Sequence, residues 1–115
     1  MYLYGASGHA KVILDIIRAQ GGVVEGLVDD NPELEELCGI PVLHDSAKLS
    51  PFIVSIGNCK IRKMIAERLD CEFATAIHPS AIISSTAVIG EGTVVMQGAV
   101  IQTEVQIGKH CIMCI

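Results

Sequence analysis

The sequence has no tryptophan, and only two phenylalanines and two tyrosines. A core without large rings must be built from Val, Ile, Leu and Ala, and a hydrophobic content of 50% in 115 residues supplies enough of them. That much apolar surface excludes an intrinsically disordered chain. Basic residues are also scarce, with Lys plus Arg at 8 against 13 for Asp plus Glu and a formal net charge of −5. The basic surface needed for nucleic acid or an anionic membrane is missing. No apolar run approaches the roughly 20 residues of a bilayer span. The opening Met1-Tyr2-Leu3-Tyr4-Gly5 lacks the basic flank and cleavage pattern of a secretory signal. The expected location is cytoplasmic. The five cysteines, Cys38, Cys59, Cys71, Cys111 and Cys114, are odd in number and irregularly spaced, which suits reduced thiols better than a disulfide framework.

What is present divides near Phe73. In residues 1–73 short apolar segments alternate with amphipathic ones. Met1 to Tyr4 reads as a strand and Gly5-Ala6-Ser7-Gly8 as a tight loop. His9 to Gln20 reads as a helix with Val12, Ile13, Ile16 and Ile17 on one face, stopped by Gly21 and Gly22. Val23 to Val28 is a second strand ending in the turn sequence Asp29-Asp30-Asn31-Pro32. Ile40 to His44 is a short extended piece and Phe52 to Ile56 an apolar strand. Gly57-Asn58 then leads into a helix over Lys60 to Leu69, with Ile61, Met64, Ile65 and Leu69 as its apolar stripe. Strands alternating with helices predict a parallel sheet, hence an α/β, Rossmann-like domain.

From Ile77 the helical period gives way to hexads: Ile77–Ile82, Ile83–Val88, Ile89–Val94, Val95–Val100, Ile101–Gln106, Ile107–Ile112 and then Met113 onward. Position one is a branched aliphatic in every complete hexad. Position five is compact throughout: Ala81, Ala87, Thr93, Ala99, Val105, Cys111. This period predicts a parallel β-helix over residues 74–115, one short strand and turn per hexad and three hexads per triangular coil. A narrow prism interior has no space for rings, in keeping with their scarcity. Residues 77 to 115 make slightly more than two coils, fewer than a stacked repeat generally needs. The expectation is a chain that continues or is capped by a partner, with an apolar end at Ile112, Met113 and Ile115. Position-six residues such as Val94, Val100 and Ile112 should leave apolar strips on the flanks, which a homotrimer would cover.

Three loops gather at the carboxyl edge of the expected sheet, where ligands bind in open α/β folds. Gly5-Ala6-Ser7-Gly8-His9-Ala10 lies between strand and helix, where free amides and the helix dipole favour phosphate. Compared with G-x-G-x-x-G it has Ser7 at the second glycine, so it is a degenerate dinucleotide loop. A tight turn at Gly5 and Gly8 is the competing structural account. It also fails as a nucleophile elbow, because His9 stands where G-x-S-x-G needs glycine. Asp29 or Asp30, ending the second strand, is placed to bind a ribose hydroxyl. Gly57 opens on the same edge, and Asn58 reads as a helix N-cap. The acidic run Asp29, Asp30, Glu33, Glu35, Glu36 reads as a solvated turn and helix start. Cys111 and Cys114 beside His110 make only half a zinc site, and the hexad register aims their sulfurs apart, so no metal is expected. His78 reads as a structural residue at the junction and His44 as a surface residue.

Tyr4-Gly5-Ala6-Ser7-Gly8-His9-Ala10-Lys11-Val12, Val28-Asp29-Asp30, Ile56-Gly57-Asn58 with Arg62, and Ile77-His78-Pro79-Ser80-Ala81 before the hexads together resemble the NeuD/PglD-type sugar acetyltransferases. The resemblance covers essentially the whole chain. It implies a left-handed β-helix, a homotrimer, and acetyl transfer from acetyl-CoA to an amino or hydroxyl group of a sugar, often nucleotide-linked. Such reactions serve surface-glycan or sialic-acid-type biosynthesis. Carried over by position, Ser7, Gly8 and His9 match the loop contacting the sugar nucleotide. Asp29 and Asp30 match the acidic pair beside the base, and Gly57 the glycine of the third loop. Gly5, Lys11, Asn58 and Arg62 are secondary candidates. The family's catalytic His falls beyond Ile115, and His110 is too early and in the wrong register to replace it. The resemblance thus implies a chain that binds the nucleotide sugar but is not competent for transfer. The alternatives from other classes are a non-catalytic nucleotide-sugar-binding module and an NAD- or CoA-binding Rossmann domain.

Overall fold

The computed structural model describes residues 1–114. Strands β1 (Tyr2–Tyr4), β2 (Gly26–Val28), β3 (Glu36–Leu37), β4 (Ile40–Leu43) and β5 (Phe52–Val54) form one sheet in the order β3-β4-β2-β1-β5. β1 runs parallel to both β2 and β5, and β2 parallel to β4. Alternate residues of the central strands serve opposite faces. Leu3, Leu27 and Ile53 pack with Ala10, Ile13, Leu14 and Ile17 of helix α1 (Gly8–Ala19). Tyr4, Val28 and Val54 pack with Ile65 and Ala66 of helix α2 (Cys59–Arg68). A sheet covered on both faces is what apolar runs such as Phe52–Val54 require.

Three local expectations change. The second strand begins at Gly26 rather than Val23, because Val23 lies out in solvent after the helix stop. The acidic run does not start a helix. Glu36 and Leu37 instead form β3, antiparallel to β4 through a two-residue turn in which Cys38 (φ 52°) and Gly39 (φ 80°) are both left-handed. Two positive φ values match the right-handed twist of a tight hairpin, and the Glu36 side chain accepts the Gly39 amide. Third, the apolar stripe of α2 is rotated, leaving Ile61 exposed and Met64 67% exposed while Ile65 and Ala66 are buried. Arg62, on the same face one turn earlier, is directed at loop carbonyls instead of the sheet.

Beyond the sheet follow strands of two residues each: β6 (Ala76–Ile77), β7 (Ile82–Ile83), β8 (Val88–Ile89), β9 (Val94–Val95), β10 (Val100–Ile101), β11 (Gln106–Ile107) and β12 (Ile112–Met113). Each pairs in parallel with the strand eighteen residues away, as β7 with β10, β8 with β11, and β6 with β9 with β12. Three hexads therefore close one coil. The interior holds position-one and position-five side chains, with Val95, Ala99 and Ile101 buried among Ile77, Ile83, Ile89 and Val105. Thr93, the polar member of that row, is fully buried; its hydroxyl donates to the Gly108 carbonyl at 2.8 Å and accepts from the Cys111 amide at 3.1 Å.

Position six faces outward at Ile82 and Val100, but the flank expected to be open at Val94 is closed, with Val94 only 1% exposed. Ala76 and Val94 join the apolar cluster containing Leu3 and α1, so one side of the prism is covered by the sheet-and-helix unit. The Gln20 side chain, just past α1, also accepts the Ile77 amide at 2.8 Å. Of the expected apolar end, Ile112 and Met113 are partly buried and Ile115 lies outside the described residues. The cysteines are free thiols, and no described helix is long and apolar enough to cross a membrane.

Candidate functional site

The loop after β1 is held from both sides. Gly5 donates to the Val28 carbonyl at 2.7 Å, and its own carbonyl accepts from the fully buried Ser55 hydroxyl at 2.6 Å. Gly5 has φ +119°, and a Cβ there would lie 2.8 Å from Ile56 Cγ1, so only glycine suits the position. The Ala6 amide donates to Asp29 Oδ2 at 2.8 Å. Ser7 then takes an extended conformation, and its side chain makes no cap on α1. A Cβ on Gly8 would meet nothing within 4 Å. An uncapped helix start with open space above it leaves amides and the positive end of the helix dipole available to an anion. Lys11 is exposed one turn further on.

Helix α2 ends differently at its start. Asn58 Oδ1 accepts the Lys60 and Ile61 amides at 3.0 and 3.1 Å, so Asn58 is the N-cap and this terminus is already satisfied. Asp29, expected beside a ligand, has both carboxylate oxygens engaged: Oδ2 with Ala6 and Oδ1 with the Asn31 amide at 2.8 Å. Its carbonyl lies 3.0 Å from Nδ1 of His44, which sits just after β4. Asp30 accepts from the Tyr4 hydroxyl at 2.6 Å and sits 3.9 Å from Arg68, which itself donates to the Tyr4 oxygen at 2.6 Å. Burial first, and the bond to Asp30 second, push the Tyr4 phenol up to about 12.

His9 and Gly57 come together, a Cβ on Gly57 lying 4.0 Å from His9 Cγ. Nε2 of His9 is buried without a partner. Burial, helped by the charge of Arg62, lowers the pKa of its ring. Arg62 donates through Nη1 to the Ile56 and Gly57 carbonyls at 2.9 and 3.1 Å, and through Nε to the His110 carbonyl at 2.9 Å. Ser7, Gly8, His9 and Gly57 thus share one edge of the sheet with Asp29 and Asp30, whereas Asn58 and Arg62 spend these donors and acceptors on the protein itself.

The residues not foreseen are the supports. Ser55 is a lone hydroxyl closing an apolar strand, and Tyr4 with Arg68 fixes Asp30. A groove of about 530 Å³ also lies between α2 and the β-helix turns, lined by Arg62, Lys63, Phe73, Glu91, Lys109 and His110 among others. His110, with a left-handed backbone (φ 55°), stands edge-on to Phe73 at 4.5 Å. No local motif joins α2 to residue 110, so sequence offered no signal for this groove.

The PglD N-terminal domain family matches residues 1–69. This chain belongs to that family. It is 41% identical over 107 residues to the UDP-N-acetylbacillosamine N-acetyltransferase of Bacillus subtilis (strain 168), covering 82% of this chain and 50% of that protein. It is 33% identical over 119 residues to an uncharacterized protein, L142, of Acanthamoeba polyphaga mimivirus, across 98% of this chain and 24% of that one. Among solved structures, a mutant perosamine N-acetyltransferase from Caulobacter crescentus in complex with CoA and GDP-perosamine superposes with a TM-score of 0.88 at 33% identity, over 96% of this chain and 58% of the other. The acetyltransferase domain of PglB from Neisseria gonorrhoeae FA1090, in complex with acetyl coenzyme A, gives 0.82 at 32% identity, over 96% and 59%. The chain spans about half the length of the Bacillus protein and somewhat more of the two solved chains. In this PglD-family member the β1–α1 loop, the Asp29-Asp30 turn and Gly57 define the candidate site.

Proposed function

We propose that this chain is the nucleotide-sugar-recognising part of an acetyl-CoA-dependent sugar N-acetyltransferase. The observation that carries the reading is the start of α1, where the Ser7 side chain makes no cap and open space lies over Gly8, at the carboxyl edge of the parallel strands β1, β2 and β5. That terminus suits a diphosphate. Ser7, Gly8 and His9 would receive the diphosphate, Gly57 would leave room for it, and Asp29 and Asp30 would face the ribose or base. Because the Asp29 carboxylate already braces Ala6 and Asn31, its remaining lone pairs are the ones a ligand hydroxyl would meet.

In the reaction, the sugar amine attacks the thioester carbonyl of acetyl-CoA, a base takes the amine proton, and CoA leaves as the thiol. Backbone amides near the carbonyl would stabilise the oxyanion. We assign neither the base nor the acetyl-CoA groove to residues 1–114; His110 is packed into a turn against Phe73 and Gly92. The outward pair Ile82 and Val100 supports a homotrimer, which would cover that flank. Acetyl-CoA and a nucleotide sugar as substrates, together with free thiols, support a cytoplasmic location.

Calorimetric titration with UDP- and GDP-linked amino sugars, with NADH for comparison, tests the reading. Micromolar binding of one of the nucleotide sugars and none of NADH is expected. Absence of nucleotide-sugar binding by a chain with a native circular dichroism spectrum, or tighter binding of NADH, would overturn it.

A further inference from the structure

Arg62 satisfies three main-chain carbonyls that belong to two separate parts of the molecule. Ile56 and Gly57 lie in the loop after β5, and His110 in the turn between β11 and β12. Such a reach uses the planar fork of a guanidinium, with donors pointing in different directions; a lysine ammonium on a single flexible stem does not reproduce it.

The β-helix end of this link is close-packed. On the β-helix side the His110 amide donates to the Glu91 carbonyl at 2.9 Å, the ring stands edge-on to Phe73, and Gly92 leaves no room for a side chain beneath it. A close-packed turn of this kind shifts as a unit rather than absorbing a displacement. On the loop side, Gly57 faces the His9 ring closely enough that a Cβ added to it would lie 4.0 Å from His9 Cγ, and His9 is the second residue of α1, next to the open space over Gly8. A ligand seated on the α1 terminus would therefore lie beside His9, whose ring neighbours Gly57, and the Gly57 carbonyl is held by Arg62.

We propose that Arg62 is a positioning residue that couples occupancy of the nucleotide loops to the setting of the β-helix turn Gly108–His110. The inference rests on the nucleotide-sugar reading of the site. It goes beyond that reading by giving Arg62 a role in relaying occupancy rather than in holding the ligand. The chain already brings sheet and β-helix together through Ala76, Val94 and Gln20. The two parts are thus held together by other contacts besides Arg62, so loss of its side chain should leave them attached.

The test uses the whole chain with UDP and GDP as probes, following affinity by calorimetry and backbone hydrogen exchange in segments 56–60 and 107–113. In the wild type, saturation with the nucleotide that binds should slow exchange in both segments. In Arg62→Ala the affinity should stay within about fivefold of wild type, segment 56–60 should still be slowed, and the response of segment 107–113 should vanish. Arg62→Lys keeps the charge but loses the fork, and should behave as Arg62→Ala does; it supplies the readout if the alanine variant fails to fold. Full restoration of coupling by lysine would overturn the proposal, because charge alone would then suffice. A wild-type segment 107–113 that ignores bound nucleotide, or a response that survives in both variants, would overturn it too while leaving the binding site intact. Failure of both nucleotides to bind the wild type would overturn the site reading, and the coupling with it.

Discussion

The carboxylate of Asp29 accepts the Ala6 amide at 2.8 Å, so the residue that follows β2 sets the shape of the loop that follows β1. An acidic residue at this point in an α/β sheet is ordinarily considered for its ligand. Here it first performs a structural task, presenting the amides that follow Ala6 at a fixed height above the sheet.

Asp29→Ala should therefore fail twice. The buried Ala6 amide loses its acceptor, which costs about 1–3 kcal/mol, and nucleotide binding weakens because the loop is no longer held. Asp29→Asn, which keeps one carbonyl oxygen, should recover part of the stability. Urea denaturation of both variants checks the order; equal stability of Asp29→Ala and wild type would sink the account.

Two glycines in the same loop should respond in opposite ways. Gly8 has open space and no positive φ, so Gly8→Val should change stability by no more than about 1 kcal/mol while blocking ligand approach and reducing affinity at least about tenfold. Gly5→Ala places a Cβ 2.8 Å from Ile56 Cγ1 at φ +119°, and should cost about 1–3 kcal/mol. Paired thermal melts and titrations separate the two effects; a Gly8→Val chain that binds normally would remove the α1 terminus from the site.

The two tyrosines should titrate apart in alkali. Tyr4 is held up to about 12 by burial and by its bond to Asp30, while Tyr2, only partly buried, is raised chiefly by its hydrogen bond to Glu25. Since the Tyr4 pKa is higher folded than unfolded, its contribution to stability is complete below about 10 and is lost as pH rises toward 12. Phenolate absorbance should show two steps, and Asp30→Asn should move the later one down.

At acid pH the histidines should work against the fold. Burial lowers the pKa values of His9 and His110 from the usual 6.5. The unfolded chain thus takes up protons first, so the stability contributed by the neutral rings is full above 6.5 and declines as pH falls below it. His9→Gln should flatten the denaturation midpoint between pH 7.5 and 5 relative to wild type. An unchanged slope in that variant would show that the buried Nε2 is not what protonation disturbs.

Much of the periodicity can be read along the chain. Residues 77 onward repeat every six with compact side chains at position five, a spacing that only a three-sided coil satisfies, and the pairs eighteen apart follow from it. The apolar strands at Tyr2–Tyr4 and Phe52–Val54, the glycine loop between β1 and α1, and the Asn58 cap were legible because each depends on neighbours close in the chain. The Cys38-Gly39 hairpin was not, since a cysteine in a left-handed turn carries no strong local signal. Nor was the inward rotation of α2, because Ile61 and Met64 look as apolar in sequence as Ile65. Tertiary structure alone decided that Val94 is closed against α1 while Val100 stays open, that Ser55 grips Gly5, and that Arg62 joins Gly57 to His110. In each case the partners lie far apart along the chain. A contact of that kind is fixed by the packing of whole elements against one another, which no local pattern encodes.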